Sequence, residues 1–144
     1  MLYQGRDPGI YDRNETQVVT KKKPSGAELE DAYFASKFAK HTKSNAISIV
    51  NSLQLVGNGA GQMSRIDSCH IAIAKAKRNG FDLNGTIAAS DAFLPFRDSV
   101  DILAEAGVKC IVQPGGSVKD AEVIAAADER GISMIFTGRR HFKH

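Results

Sequence analysis

Apolar positions divide the chain into an irregular start and a regular remainder. Residues 1–4 and 17–20 read as short strands around a polar connection containing glycine and proline, which suits a linker entering a domain. Ser25 follows Pro24 and precedes Glu28 by three residues, the spacing of a capping box in which hydroxyl and carboxylate each satisfy a free backbone N–H. Leu29, Tyr33, Phe34 and Phe38 then recur at helical spacing and predict a helix to about His41. Residues 46–50 and 53–57 are apolar runs parted by Asn51 and Ser52, the pattern of a hairpin. A loop at 57–63 leads to Ser64, which caps a second helix with Asp67 at its third position and Gly80 as its stop. Beyond it the pattern gives a strand at 86–90, a helix over 95–106 ended by Gly107 and a strand at 108–112. A helix over 119–130 ended by Gly131 and a strand at 132–136 complete the order. Residues 1–24 are thus expected to be linker and entry strands, and 25–144 one folded unit.

Strands and helices that alternate with short connections predict parallel strands with helices on the sheet faces, and the hairpin adds an antiparallel pair. The expected fold class is α/β, a three-layer α/β/α sandwich with a mixed sheet.

Composition changes this picture little. The 144 residues, 42% apolar and 24% charged, are those of an ordinary globular unit. A formal net charge of +3 is too small and too dispersed to argue for nucleic acid, and Lys21, Lys22 and Lys23 read as a solvated strand-to-helix junction. No apolar run reaches membrane-span length and no signal-peptide pattern opens the chain, so a cytoplasmic location, with no membrane or nucleic-acid partner, is expected. Cys69 and Cys110 lack the spacing of a metal pair and sit among apolar neighbours, as buried free thiols do. His41, His70, His141 and His144 form no metal-ligand motif, and no activated nucleophile stands out. Neither a metal site nor a catalytic residue is assigned.

Ligands of such sheets bind where loops leave the carboxyl ends of the strands. Four segments fall there: residues 58–65, 90–98, 113–117 and the tail from 137. The first, with glycines at 57, 59 and 61 in and just before it, ends at a helix N-terminus beside Arg65, which suits an anion or, equally, a tight turn. It fails as a dinucleotide fingerprint, because Gln62 stands where the third glycine belongs. In the second, Phe93 and Phe96 around Pro95 can wall a flat heterocycle, and Asp98 can accept hydrogen bonds from an amino-pyrimidine edge. Its structural alternative is helix capping by Asp91 or Asp98 with both phenylalanines in the core. Residues 114–117 form a generic turn, and the basic tail from Arg139 to His144 is of the kind that frays.

Five motifs in order carry a resemblance: Lys43-Ser44-Asn45-Ala46-Ile47, Gly59-Ala60-Gly61-Gln62-Met63-Ser64-Arg65, Ser90-Asp91-Ala92-Phe93-Leu94-Pro95-Phe96-Arg97-Asp98, Gln113-Pro114-Gly115-Gly116-Ser117, and Thr137-Gly138-Arg139-Arg140-His141-Phe142-Lys143-His144. Together they resemble the C-terminal half of the transformylase domain of bifunctional AICAR transformylase/IMP cyclohydrolase, and the resemblance runs over essentially the whole chain. It implies a cytidine-deaminase-like subdomain without zinc. It implies transfer of a formyl group from 10-formyltetrahydrofolate, as co-substrate, to AICAR on the route to IMP. Carried over by position, Asn45, Arg65, Phe93 and Arg140 are implied as nucleotide contacts, and Ile66, Asp98, Ser117 and Val118 as folate contacts. Asp91, Pro95 and His144 are implied near the site, with a monovalent cation close by.

Two departures qualify the expectation. The proton-shuttling Lys-His pair of the family stands in a Phe-Lys-His-Val-Ser-Pro context that these 144 residues do not contain; Lys40-His41 reads instead as the end of a helix. The cyclohydrolase domain is likewise outside them. The chain is expected to work as part of an enzyme, a split-gene product or a fragment, completed through a homodimer or by a separate chain that supplies the missing half. The alternative is a non-catalytic nucleotide- and folate-binding module that keeps the pocket and lacks the shuttle.

Overall fold

A computed structural model describes residues 16–41, 46–61 and 64–138, with the His41 side chain excepted. Among them six strands form one sheet in the order β1-β6-β5-β4-β2-β3. The elements are β1 (Gln17–Val18), α1 (Gly26–His41), β2 (Ile47–Asn51), β3 (Gln54–Gly59), α2 (Arg65–Arg78), β4 (Thr86–Ser90), α3 (Arg97–Ala106), β5 (Val108–Gln113), α4 (Asp120–Arg130) and β6 (Ser133–Phe136). β4, β5 and β6 run parallel, β2 runs against both β3 and β4, and β1 runs against β6. The fold is therefore α/β with a mixed sheet. The strand expected near 17–20 is an edge strand of this same sheet, while the one expected at 1–4 lies outside the described residues.

The two sheet faces bury different helices. On one, Ala32, Ala35 and Ala39 of α1 pack against Val50, Ile87, Ala89, Cys110, Val112 and Ile135. On the other, α2, α3 and α4 share a cluster with Ile47, Ile49, Ala88, Ile111 and Met134. The fully buried stripe of α1 is thus made of alanines, while of the expected residues Tyr33, Phe34 and Phe38 are half-buried and pack against the same cluster. Small side chains let the helix axis lie close to the strands, and the long ones splay to its flanks: Leu29 is exposed, and Phe34 and Phe38 meet edge to face at 5.0 Å. The capping box is formed as expected, with the Ser25 N–H donating to Glu28 Oε1 at 2.8 Å and the Glu28 N–H to Ser25 Oγ at 3.2 Å.

The glycines at 57 and 59 belong to β3, not to a phosphate-cradling loop. A Cβ on Gly57 would stand 2.3 Å from the Ala72 carbonyl oxygen, and one on Gly59 2.0 Å from that of Ser68. Their lack of side chains lets α2 lie directly on an edge strand. Of the three glycines only Gly61 has a positive φ, 65°. α3 begins at Arg97, two residues after the expected start, because Phe96 keeps an extended backbone at φ −146° and ψ 158°.

The hairpin turn between β2 and β3 is unusual in placing two non-glycine residues, Ser52 (φ 52°) and Leu53 (φ 61°), in the left-handed region. Such residues cost roughly 1–2 kcal/mol each there. Asp31 of α1 offsets this by accepting from the Leu53 N–H at 2.7 Å and the Ser52 N–H at 3.1 Å. Leu53 is exposed, so its side chain gains little from packing. Leu53→Gly is expected to stabilise the protein by about 0.5–1 kcal/mol, since relieved strain exceeds the added entropy of the unfolded chain. Urea unfolding checks it; a midpoint below that of wild type would show that Leu53 packs usefully.

Candidate functional site

Strand directions gather the candidate segments at one end of the sheet. β4, β5 and β6 end there, Ala89 standing beside Val112 and Gln113 beside Phe136. β2 runs the other way and begins there, with Ile47 paired to both Ser90 and Gly59. Among the described residues five segments therefore meet: 58–61 with 64–65, 90–98, 113–117, 137–138, and the entry to β2 at Ala46. The sheet order brings β2 between β3 and β4, so Ala46, at the start of β2, stands between the β3 end and the loop after β4.

The best-defined contact joins three of these segments. Asp91 is fully buried; its Oδ1 accepts from the Ala46 N–H at 3.1 Å, and its own N–H donates to the Ala46 carbonyl at 3.3 Å. The Arg65 guanidinium, on the first residue of α2, lies 3.6 Å from the same carboxylate, with side-chain exposures of 14% and 0%. A carboxylate can be buried here because a backbone N–H and a cation share its charge. Ser64 caps α2 by accepting from the Asp67 N–H at 3.2 Å, which fixes where the helix begins and so where Arg65 stands. One turn along, burial pushes the Cys69 thiol up to about 12; a hydrogen bond with Ser99 and the charge of Arg65 act against that rise. Burial likewise pushes Cys110 up to about 11. Both are free, buried thiols, protonated at neutral pH and poor nucleophiles.

The loop at 91–96 is held from within and from beneath. Ser90 Oγ donates to the Ala92 carbonyl at 2.7 Å, and the Leu94 N–H donates to the Gln113 side chain at 2.9 Å. Leu94 is fully buried, which leaves Phe93 and Pro95 half-buried and Phe96 56% exposed. Asp98 is exposed in the first turn of α3, and Phe96, at the N-cap, makes no side-chain capping bond. The structural alternative for this motif is thereby corrected: neither aspartate caps α3, and the phenylalanines are not both in the core, because Phe96 stands largely in solvent. Arg97 is turned to the α3–α4 surface, 3.0 Å from both Asp101 and Glu129. Arg97, with Arg130, holds the Asp101 carboxyl below its ordinary range.

After β5, Gly115 (φ 77°) lies against the Phe136 ring, where a Cβ would come within 2.6 Å. Asp120 accepts from the Gly116 N–H at 2.9 Å and the Ser117 N–H at 3.1 Å, and Ser117 Oγ accepts from the Lys119 N–H at 3.0 Å. Ser117 is half-buried by this turn and Val118 is 99% exposed at its tip. Ile66 is half-buried on the first turn of α2. Asn45, Arg140 and His144 lie outside the described residues. Of the described candidates, only Arg65 and Asp91 form an ion pair; Ile66, Phe93, Pro95, Asp98, Ser117 and Val118 share the same end of the sheet on separate loops and helix starts. Sequence reasoning placed Gln113 in a candidate segment and gave it no role of its own, although a polar residue closing an apolar strand was a readable signal of a buried polar role.

Among the described residues no group of three or more His, Cys, Asp or Glu side chains is placed to hold a metal, and no helix is long and apolar enough to cross a membrane.

Comparisons place this architecture. A dCMP deaminase from the cyanophage S-TIM5, in apo form, superposes with a TM-score of 0.53 at 13% identity, over 78% of this chain and 98% of that one. A diaminohydroxyphosphoribosylaminopyrimidine deaminase/5-amino-6-(5-phosphoribosylamino)uracil reductase from Thermotoga maritima gives 0.50 at 17% identity, over 75% and 34%. At such identities the likeness concerns the fold alone. In sequence the chain is 57% identical over 144 residues to the bifunctional purine biosynthesis protein PurH of Chlorobium phaeobacteroides (strain BS1), covering all of this chain and 27% of that protein. It is 54% identical over 143 residues to PurH of Aquifex aeolicus (strain VF5), covering 99% and 28%. The chain thus spans about a quarter of the length of the curated relatives it matches. The model of the AICARFT/IMPCHase bienzyme matches residues 1–75, and on that match the chain belongs to the AICARFT/IMPCHase bienzyme family.

Proposed function

We propose that this chain is the nucleotide- and folate-binding second half of an AICAR formyltransferase, a three-layer subdomain of deaminase type that works without zinc. It would serve purine biosynthesis by presenting AICAR to 10-formyltetrahydrofolate. The observation that carries the reading is the meeting of five segments at one end of the sheet. Together they offer a cation on a buried carboxylate at Arg65 and Asp91, half-exposed ring surface at Phe93, and a free-standing carboxylate at Asp98. Arginine suits a nucleotide because its planar fork gives several directed donors. Asp98 suits the amino-pyrimidine edge of a pterin, since a carboxylate accepts two parallel hydrogen bonds. Ile66, Ser117 and Val118 would line the folate side, and Asn45 and Arg140 the nucleotide side. A monovalent cation near this end of the sheet belongs to the same reading, away from Asp91, whose charge Arg65 already meets.

General acid–base groups contribute typically about 10²–10⁴-fold to a rate. The 144 residues lack the Lys-His pair of the family, so the purified chain is expected to show folate-dependent formylation of AICAR only when the remaining part of the transformylase, from a partner chain, is added. Turnover by the chain alone, at the level of a complete transformylase, would overturn this. In the reconstituted material Asp98→Asn is expected to weaken a folate analogue about tenfold more than AICAR, read by calorimetric titration. Equal losses for both ligands would remove Asp98 from the folate side.

A further inference from the structure

Gln113 is the last residue of β5, and its neutral amide lies wholly inside the protein. Each polar group of this residue reaches a different segment. Oε1 accepts from the Leu94 N–H in the loop after β4 at 2.9 Å. Nε2 donates to Met134 Sδ in β6 at 3.4 Å. The backbone carbonyl accepts from the Thr137 N–H, beyond the end of β6, at 2.9 Å. A thioether is a weak acceptor, so the amide is poorly compensated for its burial on that side. An apolar side chain of the same length would fill this space at lower desolvation cost. What it would not do is accept from Leu94. Without that acceptor a buried backbone N–H is left unsatisfied, and the cheapest relief is for the loop to lift toward water.

We infer that Gln113 is a positioning residue: its side chain locks the loop at 91–96 onto the sheet and thereby sets Phe93 and Asp91 for the ligand, while its carbonyl ties the same strand to the exit of β6. The inference rests on the proposed function for its ligand and on the described contacts alone for its lock. Gln113 touches no ligand in this scheme. It acts through Leu94, one residue from Phe93 and three from Asp91.

The test uses the full chain and two variants, Gln113→Met and Gln113→Glu. Methionine keeps length and apolar volume and removes the acceptor; glutamate keeps the acceptor. Amide hydrogen exchange at Leu94 reads the lock directly. In Gln113→Met the Leu94 amide is expected to exchange at least about tenfold faster, with Ala88 and Ala89 of β4 unchanged, and in Gln113→Glu its protection is expected to return. A purely structural role would loosen β4 and β5 together, and unchanged exchange at Leu94 would overturn the lock. Calorimetry with AICAR, with the missing part of the transformylase present and at temperatures where both variants are folded, reads the consequence. A fall of about tenfold in affinity in Gln113→Met, restored in Gln113→Glu, supports positioning. A loosened Leu94 with wild-type affinity overturns it. Should wild type bind no AICAR, the proposed function fails, while the exchange result still decides whether Gln113 locks the loop. Should Gln113→Met not fold, a Gln113→Glu chain that folds yet leaves Leu94 unprotected overturns the inference, and one that protects it supports it.

Discussion

Gly59→Ala is expected to lose about 3 kcal/mol or more of folding stability, at the upper end of what overpacking costs. The added carbon would stand 2.0 Å from the Ser68 carbonyl oxygen and 2.8 Å from its carbonyl carbon. Both are backbone atoms in the second turn of α2, so no side-chain rotation relieves the clash. Either β3 bends outward or the whole helix shifts. The helix carries Arg65 at its first residue, so a shift also withdraws the guanidinium from Asp91. Gly26→Ala is the control: a Cβ there meets nothing within 4 Å, at the start of a helix where alanine is the better former. Urea unfolding of both variants checks the pair. A Gly59→Ala midpoint equal to that of wild type would mean that the contact between α2 and β3 is slack.

Arg65→Ala is expected to destabilise the chain by about 3 kcal/mol, the low end for breaking a buried ion pair, because the Asp91 carboxylate keeps the Ala46 N–H. Asp91 is fully buried and cannot recover its lost partner from bulk water. Asp91→Ala should cost a comparable amount by taking the carboxylate from the buried guanidinium and freeing the Ala46 N–H. The double variant removes both charges and should be more stable than the sum of the single losses predicts, with a coupling of about 1–3 kcal/mol. Thermal or urea unfolding of the four proteins measures it. Strict additivity would mean that the two side chains do not interact at 3.6 Å. The ligand reading adds a separate expectation for Arg65→Ala, a loss of AICAR affinity that exceeds the loss of the dephosphorylated nucleoside and shrinks at high salt.

The order of elements was readable because each helix carries its own punctuation. Ser25 with Glu28 and Ser64 with Asp67 announce the starts of α1 and α2, and Gly107 (φ 115°) and Gly131 (φ 69°) close α3 and α4 in the left-handed region. Pairwise contacts between distant segments were not readable. Gly57 and Gly59 look like a phosphate loop in one dimension; only the packing of α2 on β3 shows that their missing side chains serve a helix. In the same way, Phe34 and Phe38 have the i, i+4 spacing of a buried stripe, but Ala35 and Ala39, one position on, are the fully buried residues against the strands, with the rings packed beside them. At the candidate site, the loops at the carboxyl ends of the strands followed from alternation alone. That Asp91 is buried and Asp98 exposed did not, since both stand in one nine-residue motif with similar neighbours.

β1 is only two residues long, yet it decides how the sheet is completed. It covers the outer edge of β6, and the segment after it adds a hydrogen bond from the Met134 N–H to Thr20 Oγ1, spanning 114 positions, and one from the Lys21 N–H to Asp128, spanning 107. The parallel strands, by contrast, pair over single crossovers, as Ile87 does with Cys110 and Cys110 with Ser133. Contacts that close a large ring are entropically late, so during folding β6 stays an open edge until β1 arrives from the opposite end of the chain. In that interval Met134 and Phe136, the residues whose backbone groups face away from β5, offer unpaired amides on an apolar strand, the template on which a second molecule can add. Protein concentration should therefore govern refolding yield, and variants that weaken β1 should aggregate on refolding before they lose native stability.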